Sequence, residues 1–153
     1  MDFKVNTRVK EVGSDAIGFV KENMILFFGD MAPEDLRQYC FILNSHELYE
    51  EIQSGDLLLI DGYVYTIEEV GSVANENFKN LGHITLHFQY DESEILGGSI
   101  YLKEPLTHEL HKDSIIAVKS AACRINHKVR RRGMKVVITR EGLRITVWIR
   151  WSE

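Results

Sequence analysis

The stretch FKVNTRVKEV, Phe3 to Val12, alternates apolar and polar side chains, which predicts a strand with Phe3, Val5, Thr7, Val9 and Glu11 on one face. MILFF, Met24 to Phe28, is a short continuous apolar run bounded by Asn23 and Gly29, the mark of a buried strand. LLLI and YVYTIEEV flank Asp61-Gly62. A two-residue type I′ turn needs φ > 0 at both central residues, and this pair therefore predicts a tight hairpin. HITLHF puts Ile84, Leu86 and Phe88 on one face and His83, Thr85 and His87 on the other. SIYL, Ser99 to Leu102, and SIIAVK, Ser114 to Lys119, complete a set of short strands.

Helical signals are few. APEDLRQY carries Pro33 and then Glu34 and Asp35, residues favourable in a first turn, and VANENFKNLG ends at Gly82, a natural C-cap. Each predicts about two turns. Six or more short strands with one to three short helices predict an all-β fold, a small closed or partly closed barrel. Beyond it, MKVVIT and LRITVWIRW read as two strands around Glu141-Gly142, with Leu143, Ile145, Val147, Ile149 and Trp151 on one face. A lone hairpin is marginal, so this one is expected to dock on the preceding domain or on a second copy of the chain.

Charge sharpens the division. Up to Ser120 there are nine Lys and Arg against 21 Asp and Glu, a net of −12; from Ala121 onward nine basic residues face Glu141 and Glu153, a net of +7. The reversal sets the expected boundary between an acidic domain, 1–120, and a basic extension, 121–153, too small for a core of its own. Arg130, Arg131 and Arg132 with nearby Trp148 also have the composition of a nucleic-acid contact, but the whole chain is acidic at −5, so no direct nucleic-acid partner is expected. The N-terminus lacks the apolar block of a signal peptide and no apolar run reaches membrane-spanning length. Cys40 and Cys123 read as thiols in a reducing compartment, both as small buried hydrophobes. A cytoplasmic location is expected, with no membrane insertion.

No GxxxxGK, no GxGxxG and no repeat is present, which sets aside phosphate binding by a Gly-rich loop. The acidic pairs Glu50-Glu51, Glu68-Glu69 and the run Asp91 to Glu94 are adjacent in sequence and form no acid/base dyad. Histidine is what remains to carry chemistry.

APEDLRQYCFI, then VGSVANENFKNLGHITLHF, then GGSIYL and SIIAVK resemble, in order and spacing, the glucitol/sorbitol-specific IIA components of the sugar phosphotransferase system over about residues 3–120. The resemblance implies a small closed barrel, a phosphohistidine, and a relay in which the general phosphocarrier protein gives a phosphoryl group to the IIA protein. The sorbitol IIB and IIC components would then carry it to an imported hexitol. No metal or other cofactor is implied. Such transfer needs an exposed neutral imidazole nitrogen and a neighbour that orients the ring through the other nitrogen.

The resemblance places the phosphohistidine directly after the Phe-Ile of YCFI, and here that residue is Leu43. Leucine accepts no phosphoryl group. The candidate substitutes are His46, three residues on, and His83, which matches a histidine of the resembling strand and shares a face with Thr85. The alternative is a IIA-like binding or regulatory module that is not phosphorylated. His83 and His87 share a strand face and could both ligate a metal, but no further ligand accompanies them in the pattern. His108 and His111 lack HExxH spacing and read as a solvated loop, and His127 lies in the basic run.

Overall fold

The alternation that predicts β1 (Phe3–Val12) works as a packing code: Val5, Thr7 and Val9 are buried, whereas Asn6, Arg8 and Lys10 are exposed. Register shifts at both ends, between Phe3 and Val5 and between Val9 and Glu11, break the code. The first leaves Lys4 buried, and its ammonium lies 2.8 Å from Asp56 Oδ2 and 2.9 Å from the Glu51 carbonyl. A bulge adds one residue to a strand and re-aims a side chain, which a strict two-residue period does not anticipate.

The computed structural model describes residues 3–91 and 94–121, and the backbone of two further strands near the C-terminus. β1, β2 (Met24–Phe28), β3 (Phe41–Leu43), β4 (Leu57–Ile60), β5 (Tyr63–Val70), β6 (Ile84–His87), β7 (Ser99–Leu102) and β8 (Ile115–Lys119) close a barrel in the order β1-β3-β2-β6-β7-β5-β4-β8. The expected all-β closed barrel is thus observed. The β4–β5 turn has Asp61 at φ 51° and Gly62 at φ 90°, the expected type I′ signs. Two pairs, β2/β3 and β6/β7, are parallel. Parallel neighbours need a long connection, which for β2/β3 is the segment containing α2 (Glu34–Arg37).

β3 escaped the sequence reading because all three of its residues are buried and so show no alternation. α2 is one turn rather than two, with Pro33 as its extended N-cap. The third short helix, α1 (Ala16–Val20), falls within the expected one to three, at a place the sequence pattern did not mark. α3 (Ala74–Leu81) has its two turns and ends on Gly82 at φ 69°, as its C-cap predicts.

Inward residues from every strand form one core, among them Val9, Phe27, Leu43, Tyr65, Leu86 and Leu102, joined by Phe78 of α3. Phe28, Ala32, Cys40 and Ile42 pack as a second cluster. Burial there pushes the Cys40 thiol up to about 11, so it stays an inert thiol. β9 (Met134–Ile138) and β10 (Ile145–Ile149) pair antiparallel as a separate two-stranded sheet, Ile138 opposite Ile145. Its turn, Arg130 to Arg132, His127, Cys123 and Trp151 lie outside the described residues. Among the described residues no helix is long and apolar enough to cross a membrane.

Candidate functional site

β3 carries the position at which the resemblance expects a phosphohistidine. Leu43 is 0% exposed, pairs with Val9 of β1 and packs into the barrel core. The position is closed to phosphoryl chemistry in this chain by residue type and by burial together.

Immediately after Leu43 the chain leaves the sheet. Asn44 N–H donates to the Arg8 carbonyl at 3.0 Å, and the Thr7 hydroxyl donates to the Ser45 carbonyl at 2.7 Å while accepting from Ser45 N–H at 3.2 Å. These bonds tie the loop to β1 and bring His46 out to the barrel rim. Its Nδ1 lies 3.0 Å from the Lys79 carbonyl in the last turn of α3. A carbonyl only accepts, so Nδ1 carries the proton and Nε2 holds the lone pair of the neutral ring. Among the described residues Nε2 has no hydrogen-bond partner.

The His46 side chain rests on two glycines. A Cβ on Gly29 would come within 3.0 Å of His46 Cδ2 and 2.7 Å of the Leu81 carbonyl, and one on Gly82 within 3.2 Å of His46 Cβ and 2.7 Å of Gly29 N. Gly82 also requires its positive φ to cap α3. Phe78 meets the imidazole edge-on at 6.5 Å. The C-terminal end of α3 thus supplies both the shelf and the orienting acceptor.

His46 lines an open cleft of about 590 Å³ with Asp30, Met31, Asn44, Ser45, Glu47, Leu48, Tyr49 and Lys79. Both carboxylates in it are engaged. Asp30 pairs with Lys10 and Arg37, each at 3.0 Å, and their hydrogen bonds, that of Lys10 foremost, hold its carboxyl below the usual range. Glu47 accepts the Tyr49 hydroxyl at 2.6 Å, which raises the phenol. Among the described residues the Lys79 ammonium has no ion-pair partner, which leaves it as the cleft's available cation.

His83, the other candidate, has the same tautomer for the same reason: Nδ1 donates to the Phe27 carbonyl at 3.0 Å. Its ring stacks on Phe28, with centroids 4.4 Å apart, and it is not among the residues lining the cleft. No hydrogen bond joins it to Thr85 among the described residues. His87 on the same strand face is occupied differently, with Nε2 bonded to Ser99 Oγ at 3.0 Å and its ring on Tyr101; burial lowers its basicity. Among the described residues His83 and His87 gain no third metal-ligating neighbour.

His111 lies on a loop and is exposed, as expected, whereas His108 departs from the solvated-loop expectation. His108 Nε2 lies 2.8 Å from Asp61 Oδ2 in the β4–β5 turn, and His111 Nε2 lies 3.9 Å from the same oxygen. No local motif announces a contact between residues about 50 positions apart.

Residues 4–117 match the family described as the PTS system glucitol/sorbitol-specific IIA component. The PTS system glucitol/sorbitol-specific EIIA component of Escherichia coli (strain K12) is 30% identical over 114 residues, 74% of this chain and 93% of that protein. Its counterpart from Shigella flexneri is 29% identical over the same length. Among solved structures, the crystal structure of the PTS system IIA component from Enterococcus faecalis V583 is similar with a TM-score of 0.65 and 30% identity, covering 73% of this chain and 97% of that one. With the barrel and the quoted segments in agreement with these matches, the chain belongs to the family of glucitol/sorbitol-specific IIA components of the PTS system.

Proposed function

We propose that this protein is a IIA phosphocarrier of a glucitol/sorbitol phosphotransferase system, and that His46 Nε2 takes the phosphoryl group in place of the residue at position 43. The general phosphocarrier protein is the donor, the sorbitol IIB component the acceptor, and IIC the partner for uptake, all meeting at the cytoplasmic side of the membrane. Residues 1–120 hold the carrier chemistry, and 121–153 are a basic extension whose strand pair docks on the acidic barrel or on a second copy of the chain.

The observation that carries this reading is the bond from His46 Nδ1 to the Lys79 carbonyl. It fixes the tautomer that presents Nε2 to the cleft. In the forward step the Nε2 lone pair attacks phosphorus in line, the donor's P–N bond breaks, and its electron pair returns to the donor ring. The His46 ring gains positive charge, which the carbonyl at the C-terminal end of α3 stabilises through the Nδ1 proton. Lys79 offsets charge on the phosphoryl oxygens, and the pairing of Asp30 with Lys10 and Arg37 reduces its repulsion. Transfer to IIB reverses the same bond changes.

Leu43 favours a second reading, a IIA-like module that binds transporter components without being phosphorylated. Incubation with phosphoenolpyruvate and the general phosphotransferase proteins, followed by intact mass, separates the two. One acid-labile phosphoryl addition that His46→Ala abolishes and His83→Ala leaves in place is the expected result. No addition, under conditions that phosphorylate a sorbitol IIA control, refutes the carrier and leaves the module.

A further inference from the structure

The β4–β5 turn and the loop that precedes β8 together hold a cluster that the phosphoryl cleft does not use. Asp61 Oδ2, His108 and His111 offer three metal-type donor atoms within 4.8 Å of one another. In a tetrahedral site with bonds of 2.0–2.2 Å, donors stand about 3.3 Å apart. The observed separations from Asp61 Oδ2, 2.8 Å to His108 Nε2 and 3.9 Å to His111 Nε2, bracket that value. The His111 side chain is 66% exposed, so rotation of its ring can close the wider gap.

The surroundings have the character of a second layer around metal ligands. Asp61 is held by Ile115 N–H on Oδ1 and by the Ser114 hydroxyl on Oδ2, each at 2.8 Å. His111 Nδ1 donates to the Lys112 carbonyl at 2.9 Å, so in the neutral ring the lone pair lies on Nε2, on the side of the Asp61 carboxylate. His108 is set in place by Tyr63, stacked at 4.4 Å. Bonds of this kind fix ring orientation and tautomer in metal sites.

We propose that Asp61, His108 and His111 form a binding site for a divalent first-row transition metal of the zinc type, tying the β4–β5 turn to the loop before β8 and leaving one coordination position to solvent. Two imidazoles and one carboxylate suit such an ion better than magnesium or calcium, which prefer oxygen donors. Binding shifts the His108 proton from Nε2 to Nδ1 and replaces its hydrogen bond to Asp61 with two bonds to the ion. Because the ligands are distant in sequence, the unfolded chain has no such site, and the metal stabilises the fold.

The test uses the full chain, freed of metal by chelation, with Zn²⁺ titrated by calorimetry and Co²⁺ by visible absorption. One ion per chain, a rise in melting temperature, and a Co²⁺ spectrum of nitrogen and oxygen ligation are expected. His111→Ala, at an exposed position, should weaken binding at least about tenfold with little change in the metal-free melting temperature. His108→Ala should do the same, and His83→Ala should leave binding intact. Absence of binding, or binding that both His108→Ala and His111→Ala leave unchanged, overturns the proposal and assigns the cluster to a plain Asp–His hydrogen bond.

Discussion

Leu43 and His46 stand three residues apart and belong to different physical regimes. Leu43 is the last residue of a fully buried strand, surrounded by core side chains. His46 sits on a loop pinned to β1, with Nδ1 bonded to a helix-terminal carbonyl and the residue lining an open cleft. The first position serves stability and the second offers chemistry. A family's site position identifies where to look, while the side chain and its exposure decide what the position does in a particular chain.

The contrast is broken most forcefully at Leu43. Leu43→Ala should cost about 2–5 kcal/mol through lost transfer energy and a core cavity. Urea denaturation measures that loss, and the protein that remains folded should still be phosphorylated. His46→Gln should show the opposite pattern, with stability close to the parent and no phosphoryl addition.

Gly82→Ala sharpens the comparison by disturbing the shelf under His46 while keeping the imidazole itself. A Cβ at φ 69°, with Gly29 N only 2.7 Å away, should cost about 1–3 kcal/mol and slow phosphoryl uptake, as thermal melts and timed intact-mass measurements would show. Lys79→Met has a smaller effect, a severalfold slower transfer whose deficit shrinks as salt rises, because an exposed cation acts through screened charge.

The smallest effect concerns acid stability. Burial holds the folded-state pKa of His87 below its ordinary value of 6.5, so the unfolded state binds the proton more readily. Its contribution to stability is therefore full above about pH 6.5 and is lost as pH falls from there through the lower folded value. In His87→Gln that part of the decline should disappear from melting temperatures measured across this window.

Where one strand face is buried, the fold was legible: the alternation of β1 and of β6, and Asp61-Gly62 between β4 and β5, all became the elements they predict. β3 was not, since a strand buried on both faces loses its period. The bulge that buries Lys4 beside Asp56 leaves no local trace either. For the site, the sequence offered His46 and His83 as an undivided pair. What separates them is tertiary: the Lys79 carbonyl and open cleft on one side, the Phe28 ring on the other. The Asp61, His108 and His111 grouping lay hidden for the same reason, because its members meet only once the barrel closes.

The central claim is that the phosphoryl group resides on His46 Nε2. Nitrogen-15 and phosphorus-31 NMR of the protein labelled at its histidine rings, recorded after phosphorylation, tests it most directly. The account predicts one phosphorus resonance coupled to His46 Nε2, with Nδ1 still protonated. Coupling to a nitrogen of His83, or to His46 Nδ1, would contradict it.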